Sequence, residues 1–249
     1  MTPIILIPAR MAASRLPGKP LADIEGTPMI VRVLKSALSA GLGPVAVAVA
    51  DEEIALAVTG AGGRAVLTDP ALPSGSDRIL AALRQIDPHE RHDVVIDLQG
   101  DMPFVPREIL ADSLDLLASQ DSCDIATVVA AESGPADRSD PDVVKAVMAM
   151  REDGAHGRAL WFTRSVLYGE GPVWRHVGVY AYRREALIAV AEAPPSPLES
   201  RERLEQLRAL ELGLSIWAVV AAAAPIAVDT PADLERARAF ARATADPGP

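Results

Sequence analysis

Apolar positions along this chain fall into two periods. Residues 4–8 and 44–50 are unbroken apolar runs, the pattern of strands buried on both faces, and 64–67 and 94–98 read as two more strands. Between them lie stripes of helical period. In 28–40, Ile30, Val31, Leu34, Ala37 and Leu38 share one face, with Pro28 suited to a first turn and Gly41 to a stop. Helices are predicted at 52–59, 76–86 and 106–118, the last with Leu110, Leu114 and Leu117 in register. Strand-helix alternation over the first 120 residues predicts a parallel sheet covered on both faces. Such sheets bind ligands at the carboxyl ends of their strands, which directs attention to the loops after Pro8, Leu67 and Leu98.

The second half is less regular. Strands are expected at 124–130, 143–150, 177–182, 214–220 and 226–228, a helix at 198–212 and a closing helix at 232–243 with Leu234, Ala237 and Ala241 aligned. The stretches 132–140 and 193–197 read as surface loops and 246–249 as a frayed tail. No internal repeat is visible.

Composition narrows the class. With 249 residues, 49% hydrophobic and 4% aromatic, the chain is long enough to bury a core without staples. Cys123 is the single cysteine, so no disulfide forms within the chain and no oxidising compartment is required. No basic leader precedes the first apolar run, and the longest apolar stretch, 217–228, is broken by Pro225 and too short to span a bilayer. A cytoplasmic protein that binds no membrane is expected. The net charge of −10 argues against nucleic acid as a partner, while leaving room for a local cationic loop that meets a small anion.

Such a loop follows the first strand. Residues 8–20 carry Arg10, Arg15 and Lys19 with no acidic residue, and Gly18 permits close backbone approach. Three cations at the carboxyl edge of a parallel sheet suit a phosphate cradle, although a solvated basic loop has the same charge. The loop is neither a Walker A nor a dinucleotide-binding glycine turn. Asp101 and Asp229 each sit just past an expected strand, the supply of carboxylates that magnesium prefers, whereas either alone is more often a turn residue. Asp97, within its strand, ranks below Asp101. His89 and His92 have no Cys or acidic cluster at zinc spacing, and Cys123 has no basic neighbour to activate it.

Residues 7–21, Ile-Pro-Ala-Arg-Met-Ala-Ala-Ser-Arg-Leu-Pro-Gly-Lys-Pro-Leu, closely resemble the nucleotide-binding signature of the 3-deoxy-manno-octulosonate (Kdo) cytidylyltransferases. Further matches follow in the family's order: Ser74-Gly-Ser-Asp-Arg78, Gln99-Gly-Asp-Met-Pro103, Asp140-Pro-Asp-Val-Val-Lys145, Phe162-Thr-Arg164, His176-Val-Gly-Val-Tyr180, Ser196-Pro-Leu-Glu199, Leu204-Glu-Gln-Leu-Arg208 and Val228-Asp-Thr-Pro-Ala-Asp-Leu-Glu235. The resemblance implies an α/β, Rossmann-like nucleotidyltransferase with a mixed, mainly parallel sheet and a smaller dimerisation and sugar-binding subdomain. It implies one domain over 1–249, with a CTP-binding half at 1–122 and a sugar-binding and dimerisation half at 123–249.

The implied activity is transfer of CMP from CTP to Kdo for lipopolysaccharide synthesis, with Mg2+ as cofactor, CTP and Kdo as substrates, and a homodimer as the working form. The resemblance places the metal on Asp101 and Asp229, the triphosphate on Arg10, Arg15, Lys19 and Arg78, and cytosine near Pro8, Ala9 and the loop of Ser74, Gly75 and Arg78. It gives Arg164 the sugar carboxylate, for which a guanidinium fork is well suited, and gives Gln99, His176, Tyr180, Glu205 and Gln206 the sugar hydroxyls. Taken alone, His176 reads as a structural histidine and Glu205 as a solvated helix face.

The chain departs from the family at Met102, where an acidic residue is usual, and in the short stretch 167–174. A second metal contact and the identity of the acidic sugar are therefore open, with an 8-amino analogue or a sialic-acid-like sugar as alternatives. A non-catalytic nucleotide binder is opposed by the intact Asp101, Asp229, Arg164 and Lys19, and a dinucleotide oxidoreductase by the absent glycine fingerprint.

Overall fold

A computed structural model describes residues 1–12, 15–131 and 135–244. Outside the described residues lie the expected tail at 246–249, the start of the expected loop at 132–140, and two positions of the cationic loop, Ala13 and Ser14. In chain order the elements are β1 (Pro3–Ala9), a 3-10 turn (Lys19–Leu21), β2 (Asp23–Ile24), β3 (Thr27–Pro28), α1 (Met29–Ala40), β4 (Val45–Val49), α2 (Glu52–Gly60) and β5 (Ala65–Leu67). Then come α3 (Gly75–Ile86), β6 (Val94–Leu98), α4 (Arg107–Ser119), β7 (Ile125–Ala131), α5 (Pro135–Ser139), β8 (Lys145–Met150) and β9 (His156–Thr163). The chain continues through β10 (Trp174–Arg183), α6 (Arg184–Glu192), α7 (Pro197–Glu202), α8 (Gln206–Glu211), β11 (Ile216–Ala221) and α9 (Pro231–Thr244). Among the described residues no helix is long and apolar enough to cross a membrane.

Two compact units interleave along the sequence. The first takes Pro3–Arg91, Asp97–Arg107 and the chain from Pro225 onward; the second takes Met1–Thr2, His92–Ile96 and Glu108–Ala224. They are not the two halves expected on either side of residue 122, because the chain re-enters the first unit after Ala224.

In the first unit β1, β4 and β5 run parallel, with Ile5 opposite Val45 and Val47 opposite Ala65. All five residues of β4 are buried, which explains why its sequence shows no polar alternation. Helix α1 begins immediately after Pro28 and ends at Gly41, whose φ of 64° only glycine adopts freely. Helix α9 returns to this unit and buries Leu234, Ala237 and Ala241 with Ile24, Met29 and Val228. The strand expected at 226–228 does not form. Pro225 has no N–H to offer a ladder, and the segment is anchored through the Val228 N–H, which donates to the Asp101 carbonyl at 2.9 Å.

In the second unit the strands lie in the order β10-β7-β11-β9-β8, with β10 also pairing β8. Strand β7 is antiparallel to β10 and parallel to β11, and β9 is antiparallel to both β11 and β8. Parallel pairs thus join β1, β4 and β5 in the first unit, and antiparallel pairs dominate the second, so the strand pairing is mixed. Strand β9 escaped the sequence reading because its inward positions include the small residues Gly157 and Ala159 between exposed Arg158 and Leu160. Helix α6 also went unpredicted, since it follows β10 with no intervening turn.

The helix expected at 198–212 is two short helices. Arg203 takes the left-handed conformation, φ 56°, and ends α7 before α8 begins. The corner is held by Arg208, 3% exposed, whose guanidinium makes two bonds to the Glu199 carboxylate at 2.6 and 2.7 Å and a third to the Val190 carbonyl. Glu199 in turn completes a capping box with Ser196. Burial raises the Glu199 carboxyl, but the bonds from Arg208 and the Ser196 N–H outweigh it and hold its pKa below the usual carboxylate range. The resulting stability is full above that range and is lost as pH falls through the depressed value. Replacing Arg208 by Met leaves the carboxylate buried without its partner. Urea denaturation at neutral pH should show a loss of about 3–5 kcal/mol for Arg208→Met, shrinking as the medium is acidified.

Candidate active site

The carboxyl ends of β1 and β6 open on a cleft of about 340 Å³, all of it in the first unit. Pro8 and Ala9 close β1 at its wall, and Gly100 forms the floor where β6 ends. A Cβ at Gly100 would stand 2.7 Å from the Pro8 carbonyl, so only glycine lets the two strand ends meet. Arg10, Arg15 and Lys19 also line it, on the loop that the 3-10 turn closes with Gly18 at φ 71°. The Met11 N–H donates to Asp51 Oδ2 at 2.8 Å and pins the start of that loop.

At the centre Lys19 Nζ donates to Asp101 Oδ2 at 3.0 Å and to Asp229 Oδ1 at 2.9 Å. Arg15 reaches the other oxygen of Asp229 at 3.2 Å. Lys19 is only 17% exposed. Its burial works against the charged form, and the two carboxylates outweigh that burial and raise its pKa above the ordinary lysine value. Oxygens from Asp101 and Asp229 therefore converge on one cation. Among the described residues no group of three or more His, Cys, Asp or Glu is placed to hold a metal. A divalent ion here would take these two carboxylates and complete its shell with substrate oxygens and water, a donor set that suits magnesium. Met102 is buried and supplies no further oxygen.

Asp229 is placed by a residue to which the sequence reading gave no role. Asp233 Oδ2 accepts from the Asp229 N–H at 3.0 Å, the Thr230 N–H at 2.8 Å and the Thr230 hydroxyl at 2.8 Å. The Asp233 N–H returns a bond to Thr230 Oγ1 at 3.2 Å. This reciprocal cap at the start of α9 was legible as Thr-Pro-x-Asp, a helix-start signal. Burial raises the Asp233 carboxyl, but the Thr230 hydroxyl and the backbone N–H groups outweigh it and lower its pKa.

Three of the predicted residues line the cleft and also make bonds within the protein. Arg78 lines the cleft yet is 2% exposed, and its guanidinium donates to Thr68 Oγ1 at 2.7 Å and to the Asp69 and Leu72 carbonyls. It organises the loop before α3 from the wall of the cleft. Ser74 caps α3 by accepting from the Asp77 N–H at 3.1 Å, which leaves Gly75 and the helix N-terminus facing the cleft. Gln99 donates its amide to both oxygens of buried Asp97, at 2.9 and 3.1 Å, so Asp97 orients Gln99. Cys123 is buried, and burial pushes its thiol up to about 12, which excludes it as a nucleophile.

The expected acceptor residues Arg164, His176, Tyr180, Glu205 and Gln206 belong to the second unit. The His176 ring packs against Phe162 and Tyr180, at 5.0 and 5.4 Å between centroids. Thr127 donates its hydroxyl to the Val179 carbonyl at 2.7 Å and lies 3.0 Å from His176 Nε2, an arrangement that makes Nε2 the protonated nitrogen and Nδ1 an acceptor. Burial drops the imidazole to about 3, so the ring is neutral. Tyr180 and Gln206 are buried, and Gln206 opens α8. Glu205 Oε1 is buried with no hydrogen-bond partner among the described residues. The Arg164 guanidinium donates to the Pro141 carbonyl at 3.0 Å.

Residues 4–216 match the cytidylyltransferase family. A 3-deoxy-manno-octulosonate cytidylyltransferase of Parvibaculum lavamentivorans is 52% identical over 238 residues, covering 95% of this chain and 92% of that protein. One from Rhodospirillum centenum is 54% identical over 239 residues, covering 96% and 93%. Among solved structures, a CMP:2-keto-3-deoxy-manno-octonic acid synthetase complexed with CTP superposes with a TM-score of 0.88 at 37% identity, covering 98% of this chain and 99% of that one. A nucleotidyl transferase from Methanothermobacter, at 17% identity and a TM-score of 0.64 over 98% of this chain and 99% of its own, shares the fold.

Asp233→Ala should lower stability by about 1 kcal/mol at neutral pH through loss of the cap. Asp233 is held below the carboxylate range, so the deficit should narrow as pH falls through that range, which denaturation curves at neutral and acid pH measure. By loosening Asp229 it should also cut turnover by about tenfold or more.

Proposed function

This chain belongs to the 3-deoxy-manno-octulosonate cytidylyltransferase family, and from that premise we propose that it transfers CMP from CTP to Kdo with release of pyrophosphate. The observation that carries the proposal is the pair of carboxylates, Asp101 and Asp229, gathered on one ammonium beside a cationic loop. That combination suits a triphosphate whose α-phosphorus must be attacked by an anionic partner. The relative of known structure is described as complexed with CTP, in keeping with the nucleotide assigned here.

In the reaction the anomeric hydroxyl on C2 of the sugar attacks the α-phosphorus in line. The new P–O bond forms as the bond to pyrophosphate breaks, and the hydroxyl proton passes to solvent. Little covalent work falls to the protein, and positioning and charge neutralisation dominate. Asp101 and Asp229 would hold a magnesium ion, which when bound would neutralise phosphate charge and acidify the sugar hydroxyl. Arg10, Arg15 and Lys19 supply cationic donors for the triphosphate. Lys19 spends two of its three N–H bonds on the two aspartates, and the third is proposed to meet the triphosphate, with Arg15 shared between Asp229 and the phosphates. Pro8, Ala9 and Gly75 bound the cleft on the side proposed for cytosine.

In the second unit, Arg164 is proposed to take the sugar carboxylate through its planar fork. Neutral His176, with Nδ1 as acceptor, and the oxygen of Glu205 are suited to sugar hydroxyls, and Tyr180 and Gln206 are proposed to join them. The single cysteine supports a reducing compartment, and we place the protein in the cytoplasm as a homodimer.

Pyrophosphate release with CTP and a panel of acidic sugars tests the reading. Kdo should give the highest kcat/KM, and turnover confined to a sialic or amino sugar would replace it. Asp101→Asn should cut turnover by about 100-fold or more in protein that a thermal melt shows to be folded at the assay temperature. Wild-type turnover at ordinary magnesium would remove Asp101 from the mechanism. Arg164→Ala should raise KM for Kdo while leaving KM for CTP as it is, which initial-rate kinetics with each substrate varied in turn would measure.

A further inference from the structure

Lys145, the first residue of β8, has 0% of its surface exposed although it carries an ammonium. Its Nζ donates to three backbone carbonyls, of Asp140 at 2.7 Å, Val143 at 2.9 Å and Arg164 at 2.8 Å. An ammonium has three N–H bonds, so all three are spent on neutral oxygens. Taking an ammonium out of water is costly, and a methionine of similar length would fill the same space without that cost. Nor is the charge needed to join the two strands, because β8 and β9 already pair, with Lys145 opposite Thr163.

What the ammonium does that an apolar side chain cannot do is fix carbonyls lying just outside that ladder. Two belong to the loop ahead of β8, and the third is that of Arg164, the residue that follows β9. The same loop then receives the Arg164 side chain, since its Nη1 donates to the Pro141 carbonyl. Thr163 Oγ1 accepts from the Ser165 N–H at 3.0 Å and turns the chain at this point. Arg164 is thus tethered twice to 140–143, by its backbone through Lys145 and by its guanidinium directly. Burial lowers the Lys145 pKa, attraction to Asp140 offsets part of this, and the neighbouring Arg164 guanidinium lowers it further.

We propose that Lys145 is a positioning residue for the acceptor: by locking the Arg164 carbonyl and the loop that holds the Arg164 guanidinium, it aims that fork at the carboxylate of the acidic sugar. The proposal rests on the assignment of Arg164 to that carboxylate. It requires that loss of Lys145 weaken use of the sugar and spare the nucleotide.

The test compares wild type, Lys145→Met, Lys145→Gln, Arg164→Ala and the Lys145→Met/Arg164→Ala double variant. Each is first checked by a thermal melt to be folded at the assay temperature. Lys145→Met should raise KM for Kdo by about tenfold with KM for CTP unchanged. Lys145→Gln, which keeps a donor, should fall between it and wild type. The double variant should be no worse in Kdo use than Arg164→Ala alone. A loss in kcat alone, an equal rise in both KM values, or a double variant in which the two losses multiply would overturn the proposal. If Arg164→Ala leaves KM for Kdo unchanged, the assignment of Arg164 falls; if it raises that KM and Lys145→Met does not, only the role of Lys145 falls. Should neither Lys145 variant fold, a crystal structure of the wild type with CTP and Kdo decides. Lys145 on the Arg164 carbonyl with the guanidinium on the sugar carboxylate upholds the proposal, and Lys145 turned away from that carbonyl defeats it.

Discussion

One ammonium between two carboxylates organises the first unit. Lys19, Asp101 and Asp229 are separated by 82 and 210 positions in sequence, and they meet within 3.0 Å. Two carboxylates brought this close repel unless a cation stands between them, and Lys19 is that cation. The loop after β1, the end of β6 and the approach to α9 are therefore bound to one another by charge as well as by the backbone bond from Val228 to Asp101. The arrangement also sets the terms on which an anion enters. The cations of the cleft are largely engaged: Lys19 and Arg15 by carboxylates, Arg78 by a hydroxyl and two carbonyls. On the roles proposed for these residues, a triphosphate would share them with their present partners, so the cationic mouth of a chain of net charge −10 is balanced from within.

The two units solve the same problem of buried charge in different ways. In the first, carboxylates and a lysine neutralise each other at a place open to ligand. In the second, Arg208 pairs with Glu199 to hold a helix corner, while Lys145 is satisfied entirely by carbonyls. A buried ion pair can serve the fold alone. A buried ammonium serving three carbonyls at the edge of a strand pair has its effect on whatever those carbonyls position.

Much of the first unit was legible in the sequence because its signals are local. The unbroken apolar runs of β1 and β4, and the Pro28 and Gly41 that bracket α1, report burial and helix ends within a few residues. The cationic loop and Asp101 were found as motif residues, and the cleft they line is where the topology of a parallel sheet puts it. What escaped depends on partners distant in sequence or on a single backbone angle. No periodicity reports that Arg203 turns left-handed and divides the helix expected at 198–212. Small inward residues disguise β9. Arg78 and Gln99 were visible as polar residues in a motif, but their engagement by the 68–72 loop and by Asp97 is a matter of packing. Asp233 could have been read from its spacing to Thr230, and only the structure ties that cap to Asp229.

The interleaving of the units bears on how the molecule is born. A chain synthesised as far as Ala224 already holds both strand ends, every cation of the cleft and Asp101, yet it lacks Asp229, Asp233 and α9. Until the ribosome has passed those codons, Lys19 has one carboxylate partner of its two and the hairpin of β2 and β3 has no α9 to cover Ile24. The unit that holds the cleft is thus the one finished last, and on the roles proposed for Asp101 and Asp229 the nascent protein gains its activity only once these two meet.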